Sequence, residues 1–281
     1  PGSQRRSYLF RVLSERIGKI MKKDDGIFRP LPLRREEIYQ LIRDNGTARV
    51  SDLSDKLGVT TMTIRRDLET LERDGLVERT HGGAVAVNRT NREPLFTQKS
   101  VINRLQKDLI ARKASSLIED YDTIFLNSGT TTLRIFRNIT AKHVKIVTNN
   151  AYFPMDDIPD SLEVISTGGL FRKESFTLIG ETALHSISQV FASKAFIGLD
   201  GFDVHYGMTT PVQPEAHVNR MMIEHTRGEV IVVADSSKIG KVSNFFVAPV
   251  TSAQKLLTDS GITDEQVADL EQMGIEVIRC E

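Results

Sequence analysis

The chain has 281 residues, is 40% hydrophobic and carries 37 basic against 37 acidic side chains, so net charge alone assigns no partner. Cys280 is its only cysteine, which excludes an intrachain disulfide and a cysteine-rich metal site. Six scattered histidines form no ligand pair beside a carboxylate, and no apolar run reaches the ~18 residues of a membrane span, so a cytoplasmic protein without metal or cofactor is expected.

The length predicts two domains. Residues 1–83 hold 17 Lys+Arg against 13 Asp+Glu, and residues 84–281 hold 20 against 24. A basic front joined to an acidic back fits a nucleic-acid module carrying a second domain. Residues 1–33 form a basic leader, 8 Lys+Arg against 3 Asp+Glu, in which Leu9, Leu13, Ile17 and Ile20 recur near helical spacing before the prolines of "FRPLPL". It reads as a disordered tail or as an arm for DNA.

Residues 34–87 read as three helices followed by a hairpin. "RREEIYQLIRDNG" puts Ile38, Leu41 and Ile42 on one face and stops at Asn45-Gly46. "VSDLSDKLG" gives a shorter helix with Ser51 as its cap, Leu53 and Leu57 facing inward and Gly58 as the turn. "TTMTIRRDLETLERDG" gives the third, with Ile64, Leu68 and Leu71 as its stripe, Thr60 or Thr61 at its start and Gly75 closing it. "LVERT", His81-Gly82-Gly83 and "AVAV" then read as two strands around a glycine turn. Helix, short helix, turn and helix is the helix-turn-helix spacing, and the hairpin makes it winged.

At 3.6 residues per turn, Arg65 and Arg66 lie about 100° and 200° around the axis from Ile64, away from the core stripe. The front of that helix, Thr61, Met62, Thr63, Arg65 and Arg66, is the part that meets base edges in a helix-turn-helix. Glu69, Glu72 and Asp74 further back repel phosphate, so the helix enters the major groove by its front. The competing reading pairs Arg65 with Glu69 and leaves Arg66 in solvent. His81-Gly82-Gly83 allows close backbone approach to phosphate or the minor groove, or simply closes a hairpin.

Residues 88–97, "NRTNREPLFT", read as a linker. Residues 98–281 alternate helix and apolar strand, which predicts an α/β domain with a mostly parallel sheet covered on both sides. "NSGTTT" at 127–132 follows a strand and precedes a helix, a position that favours an anion. "TNN" at 148–150, "TGG" at 167–169, "GLDG" at 198–201 and "ADSSK" at 234–238 also follow strands and gather at the same sheet edge. Asp200 and Glu215 offer acceptors for hydroxyls and Lys238 a cation, an inventory suited to a phosphorylated sugar or polyol. Asp203 reads as a turn or cap residue.

The stretch from Arg34 to Ala84, with its "TIRRDL" core and terminal "HGGA", resembles the winged helix-turn-helix of the DeoR family of bacterial transcription regulators. "SGTTT", "TNN", "GG", "GLDG", "TT…EA" and "DSSK" resemble that family's effector domain, extending the likeness to nearly the whole chain from Arg34. The resemblance implies a ribose-5-phosphate isomerase-like fold and an effector pocket of Ser128, Gly129, Thr130, Thr131, Asn149, Gly168, Asp200, Glu215 and Lys238. Many relatives carry Asp where Asn127 stands, so this chain is expected to lack a charge at the pocket entrance.

The expected function is a repressor of a carbohydrate-metabolism operon, binding operator DNA as a homodimer or homotetramer and responding to a sugar phosphate, with no catalysis and no membrane partner. The alternatives are a sugar-phosphate isomerase-like enzyme with a DNA-binding appendage, using Asp200, Glu215 and Lys238, and an architectural DNA-binding protein.

Overall fold

The computed structural model describes residues 33–73, 75–86, 95–154 and 158–281. Residues 1–32 of the leader therefore lie outside the described residues, and Leu33 already belongs to the first described helix. The chain divides into two compact units between Thr90 and Asn91.

In the first unit the elements follow in the order α1 (Leu33–Asn45), β1 (Thr47–Arg49), α2 (Val50–Leu57), α3 (Thr61–Arg73), β2 (Val77–Arg79) and β3 (Gly83–Ala86). The apolar stripes meet as the spacing predicts: Ile38, Ile42, Ile64 and Leu71 are fully buried, with Leu53 and Leu68 nearly so. Leu57, expected to face inward, is only half-buried. Thr60 starts α3, its Oγ1 accepting from the Thr63 amide at 3.3 Å. Ser51 does not cap α2, because the helix begins one residue earlier at Val50; its hydroxyl donates to Asp52 instead.

The strand β1, unannounced by any apolar run, completes a three-stranded antiparallel sheet in the order β1-β3-β2. A Cβ at Gly83 would lie 2.0 Å from the Ala48 carbonyl oxygen. Gly83 thus lets β3 approach β1, whereas the sequence suggested a role in approaching nucleic acid.

The second unit opens with α4 (Phe96–Val101) and α5 (Arg104–Ser115). Phe96 is 3% exposed and packs against Tyr152 and Phe176 with ring centroids 5.6 and 5.5 Å away. The stretch 88–97 is therefore not linker to its end: Phe96 already belongs to the packed domain.

A seven-stranded sheet follows, with every described pairing parallel. Its order is β15-β14-β12-β9-β4-β5-β6. The strands are β4 (Thr123–Leu126), β5 (Val144–Thr148), β6 (Leu162–Ser166), β9 (Ala192–Ile197), β12 (Thr226–Val233), β14 (Lys255–Asp259) and β15 (Glu276–Cys280). Phe125, Phe196, Val232 and Leu256 are fully buried on these strands, as two-side cover requires. The intervening helices are α6 (Thr130–Phe136), α7 (Glu181–Ser188), α8 (Gln213–Glu224) and α9 (Asp264–Gln272). α8 stops at Glu224, because Thr226 already pairs in β12.

Two small antiparallel sheets were not foreseen: β7 (Leu170–Arg172) with β8 (Thr177–Ile179), and β10 (Gly201–Asp203), β11 (Gly207–Thr210) and β13 (Phe245–Ala248). Asp203 accepts from the amides of His205 and Tyr206 and closes the β10–β11 turn. The chain builds the large sheet outward from β4 to β6, returns to β9 beside β4, and builds outward again to β15. That reversal makes a crevice beyond the C-ends of β4 and β9.

Candidate effector cleft and nucleic-acid interface

Beyond β4 and β9 lies a cleft of about 610 Å³, counted to its open mouth. The turn Ser128-Gly129-Thr130 forms one wall, and Gly198, Leu199 and Asp200 after β9 form the floor. Glu215 and Asn219 project from α8, and Ser175 and Thr177 come from the β7–β8 hairpin. Three lysines from three separate elements complete it: Lys99 of α4, Lys107 of α5 and Lys238 of the 3₁₀ turn Ser236–Lys238.

The turn is held by side chains around it. The Ser128 amide donates to Asn149 Oδ1 at 2.8 Å, and Thr177 Oγ1 meets Ser128 Oγ at 2.9 Å. α6 begins at Thr130 with no side-chain cap at Gly129, and first-turn amides have no intrahelical partner. Asn127, 1% exposed, donates from Nδ2 to the Gly198 carbonyl at 2.8 Å and accepts from the Gly198 amide at 2.9 Å. It ties the end of β4 to the end of β9 beneath the cleft, and so does not stand at the entrance.

Asp200 lies between two of the lysines, with Lys99 Nζ at 2.9 Å and Lys238 Nζ at 3.6 Å. Burial pushes its carboxyl upward, but the two ammonium groups outweigh this and hold it at about 2. Lys107 is 5% exposed. Burial, with Lys238, Arg134 and Lys99 nearby, pulls its ammonium down to about 7 against the opposing pull of Asp235. Glu215 accepts from Ser175 Oγ at 2.6 Å and from Arg172 Nη1 at 3.4 Å.

Ser128, Gly129, Thr130, Asp200, Glu215 and Lys238 thus come together on the cleft as the sequence suggested. Thr131, Asn149 and Gly168 do not line it. Thr131 is buried within α6, and Asn149 stands behind the Ser128 amide. Gly168 follows β6, the sheet edge two strands from β4. Lys99, Lys107, Ser175, Thr177 and Asn219 were missed. Among the described residues no group of His, Cys, Asp and Glu could hold a metal ion, and no helix is long and apolar enough to cross a membrane.

In the first unit, Thr61, Met62, Arg65 and Arg66 are exposed along the front of α3, and Thr63 is half-buried against Thr60. Met62 is 56% exposed, unusual for an apolar side chain with a core at hand. Glu69 pairs with Arg79 of β2 at 3.3 Å, not with Arg65. Among the described residues the side chains of Arg65 and Arg66 have no ion pair. Behind them, Asp67 is 1% exposed and accepts from Arg34 Nε and Arg35 Nε, both at 2.7 Å. The hydrogen bond to Asp67 raises Arg34 above its ordinary value. His81 and Gly82 are exposed at the hairpin tip, while the Gly82 carbonyl accepts from the Val50 amide at 2.9 Å.

Residues 34–90 match the DeoR-like helix-turn-helix domain, and residues 102–260 match the DeoR C terminal sensor domain. The chain belongs to the DeoR family. Among DeoR-family relatives, it is 35% identical over 254 residues to the putative aga operon transcriptional repressor of Escherichia coli O157:H7, covering 87% of this chain and 92% of that protein. It is 34% identical over 246 residues to the HTH-type transcriptional regulator GlpR of Haloferax volcanii, covering 87% and 96%. Ribose 5-phosphate isomerase A from Methanocaldococcus jannaschii overlaps 49% of this DeoR-family chain and 55% of its own, at 15% identity and a TM-score of 0.36.

Proposed function

We propose that this DeoR-family regulator represses a carbohydrate-metabolism operon in the cytoplasm and that a sugar phosphate in the cleft modulates its hold on operator DNA. The observation that carries the reading is the convergence of Lys99, Lys107 and Lys238 with the Ser128–Thr130 turn, on a chain that also presents two exposed arginines, without an ion pair among the described residues, on a winged helix-turn-helix.

An anion gains from the lysines and from first-turn amides of α6, while Glu215 and Asn219 on the facing wall suit hydroxyls. Arg65 and Arg66 each supply a fork for guanine, with Thr61, Met62 and Thr63 beside them on the front of α3. His81 and Gly82 follow the phosphate backbone or the minor groove. We assign DNA reading to residues 34–87, and effector binding and self-assembly to residues 98–281. Homodimers or homotetramers would present paired reading helices to half-sites about one helical turn, or a multiple, apart. The isomerase alternative gains little support from the carboxylates: Asp200 is neutralised by two lysines, and Glu215 is engaged by Ser175 and Arg172.

The test is a thermal-shift screen of pentose, hexose and triose phosphates on the full chain, repeated with duplex DNA selected by the protein from a random library. One ester should raise the unfolding temperature without being turned over, and should shift the affinity for the selected duplex. If no phosphate ester stabilised the protein, or if the stabilising ester left DNA affinity unchanged, the reading would fall.

A further inference from the structure

The three lysines of the cleft are not equivalent. Lys238 comes from the loop after β12 and Lys107 from the interior of α5, but Lys99 stands on α4, the first element after residues 87–94 leave the DNA-binding unit. α4 has six residues. Too short to hold itself, it depends on tertiary contacts.

Those contacts come largely from the cleft. Lys107 Nζ donates to the carbonyls of Lys99 and Ile102 at the helix end. Thr130 Oγ1 donates to the Lys99 carbonyl at 3.4 Å. Arg134 donates from Nη2 to the Ser100 carbonyl at 2.9 Å and from Nη1 to the Thr130 carbonyl at 2.8 Å, bracing α4 and the anion-facing turn with one guanidinium. At the other end the Phe96 amide donates to the Glu174 carbonyl at 2.8 Å, next to cleft residue Ser175. The Lys99 side chain itself is bound to the carboxylate of Asp200.

We infer that Lys99 is the cation through which the cleft reports its occupancy: the anionic group of the effector takes Lys99 from Asp200, and α4 follows. The inference rests on the proposed binding of a phosphate ester in this cleft. Asp200 neutralises Lys99 and Lys238 wherever no stronger anion competes for them. An incoming phosphate brings more charge and more acceptor atoms than one carboxylate, and it lies against the Ser128–Thr130 turn as well. α4 is then tied to that turn through the ligand as well as through Thr130 and Arg134. α4 is the first described element of the second unit, so a displacement of α4 would act on the chain where it enters from the DNA-binding unit. A ligand that holds Lys99 favours whichever position of α4 brings the ammonium to it, and such a preference is the physical requirement for coupling.

Hydrogen exchange on the full chain tests this, with inorganic phosphate, ribose 5-phosphate and fructose 6-phosphate as probes. Any probe that slows exchange at residues 128–133 has bound; if none does, the binding proposal itself fails. With a bound probe, residues 95–102 should also slow. In Asp200→Asn they should exchange faster than in the parent chain without probe and regain protection with it. In Lys99→Met, with probe raised until 128–133 is protected, the slowing at 95–102 should be lost. Protection at 128–133 with no change at 95–102 in the parent chain would overturn the inference. So would an unaltered 95–102 in ligand-free Asp200→Asn, or slowing there that persists in Lys99→Met.

Discussion

Asn127 and Asn219 meet beneath the cleft, the first donating from Nδ2 to Oδ1 of the second at 2.9 Å. The same carboxamide also closes both hydrogen bonds with the Gly198 backbone. One side chain therefore joins β4, the loop after β9 and α8, the three elements that carry the Ser128 turn, Asp200 and Glu215.

Asn127→Leu keeps the branching and heavy-atom count of the side chain, though not its volume, and removes every one of these bonds, leaving the half-buried Gly198 peptide and the buried Asn219 oxygen without this partner. Each such group costs about 1–3 kcal/mol, so the substitution should destabilise the second unit by about 3–5 kcal/mol. Urea unfolding followed by circular dichroism measures it. A loss below about 1 kcal/mol would mean that water replaces the carboxamide.

Asp67 anchors α3 to the first turn of α1 through Arg34 and Arg35. Asp67→Ala removes the shared acceptor and should cost the DNA-binding unit about 2–4 kcal/mol, less than a fully buried pair because both guanidinium groups reach solvent. Differential scanning calorimetry of the full chain should show an earlier transition for this unit. An unchanged transition would show the pair to be ornamental.

Arg66→Ala leaves the core of the first unit untouched, since Arg66 is exposed and forms no ion pair among the described residues. Affinity for the selected duplex should fall by about 1–3 kcal/mol, with base preference relaxed at one position of each half-site. Competition binding against duplexes substituted at single positions measures both. A uniform loss with preference intact would make Arg66 a phosphate contact.

Lys107 gives the cleft a pH dependence. Its folded-state value of about 7 lies below the ordinary 10.5, so between these the unfolded chain holds a proton that the folded chain has released. Stability should therefore rise with pH from about 7 to about 10.5, and Lys107→Met should flatten that rise. A bound phosphate dianion favours the charged lysine, so binding near pH 8 should take up a proton. Calorimetric titrations in buffers of different ionisation enthalpy read that uptake, which Lys107→Met should abolish. Identical heats in all buffers for the parent chain would contradict the assignment.

What the sequence discloses tracks how local the cause is. The stripe of Ile64, Leu68 and Leu71 and the stop at Gly75 are readable within one helix, and all three side chains are buried. "SGTTT" announces itself because a strand-to-helix turn is a local event. Lys99 and Asp200, by contrast, are 101 residues apart, and nothing near Lys99 hints at its partner. "NREPLFT" looks like connecting chain until Phe96 meets Tyr152 and Phe176. Lys107 is one of several charged residues in "RLQKDLIARKASSLI", and tertiary packing singles it out for burial. Gly168 shows the converse error: its loop sits at a strand end like the others, but at the sheet edge, and strand order is not written in any one segment.

The reversal of the large sheet sets a timetable for its making. Strands β4, β5 and β6 follow closely in the chain and can pair among themselves, but the inner edge of β4 waits for β9, whose Lys194 pairs with Ile124 some seventy residues upstream. At ordinary speeds of synthesis that interval lasts several seconds, and once β6 is made the nascent half-sheet shows an edge of unpaired backbone N–H and C=O groups until β9 arrives. Slow codons or a captured chaperone between β6 and β9 would therefore matter more to the yield of this protein than the same delay anywhere after β12.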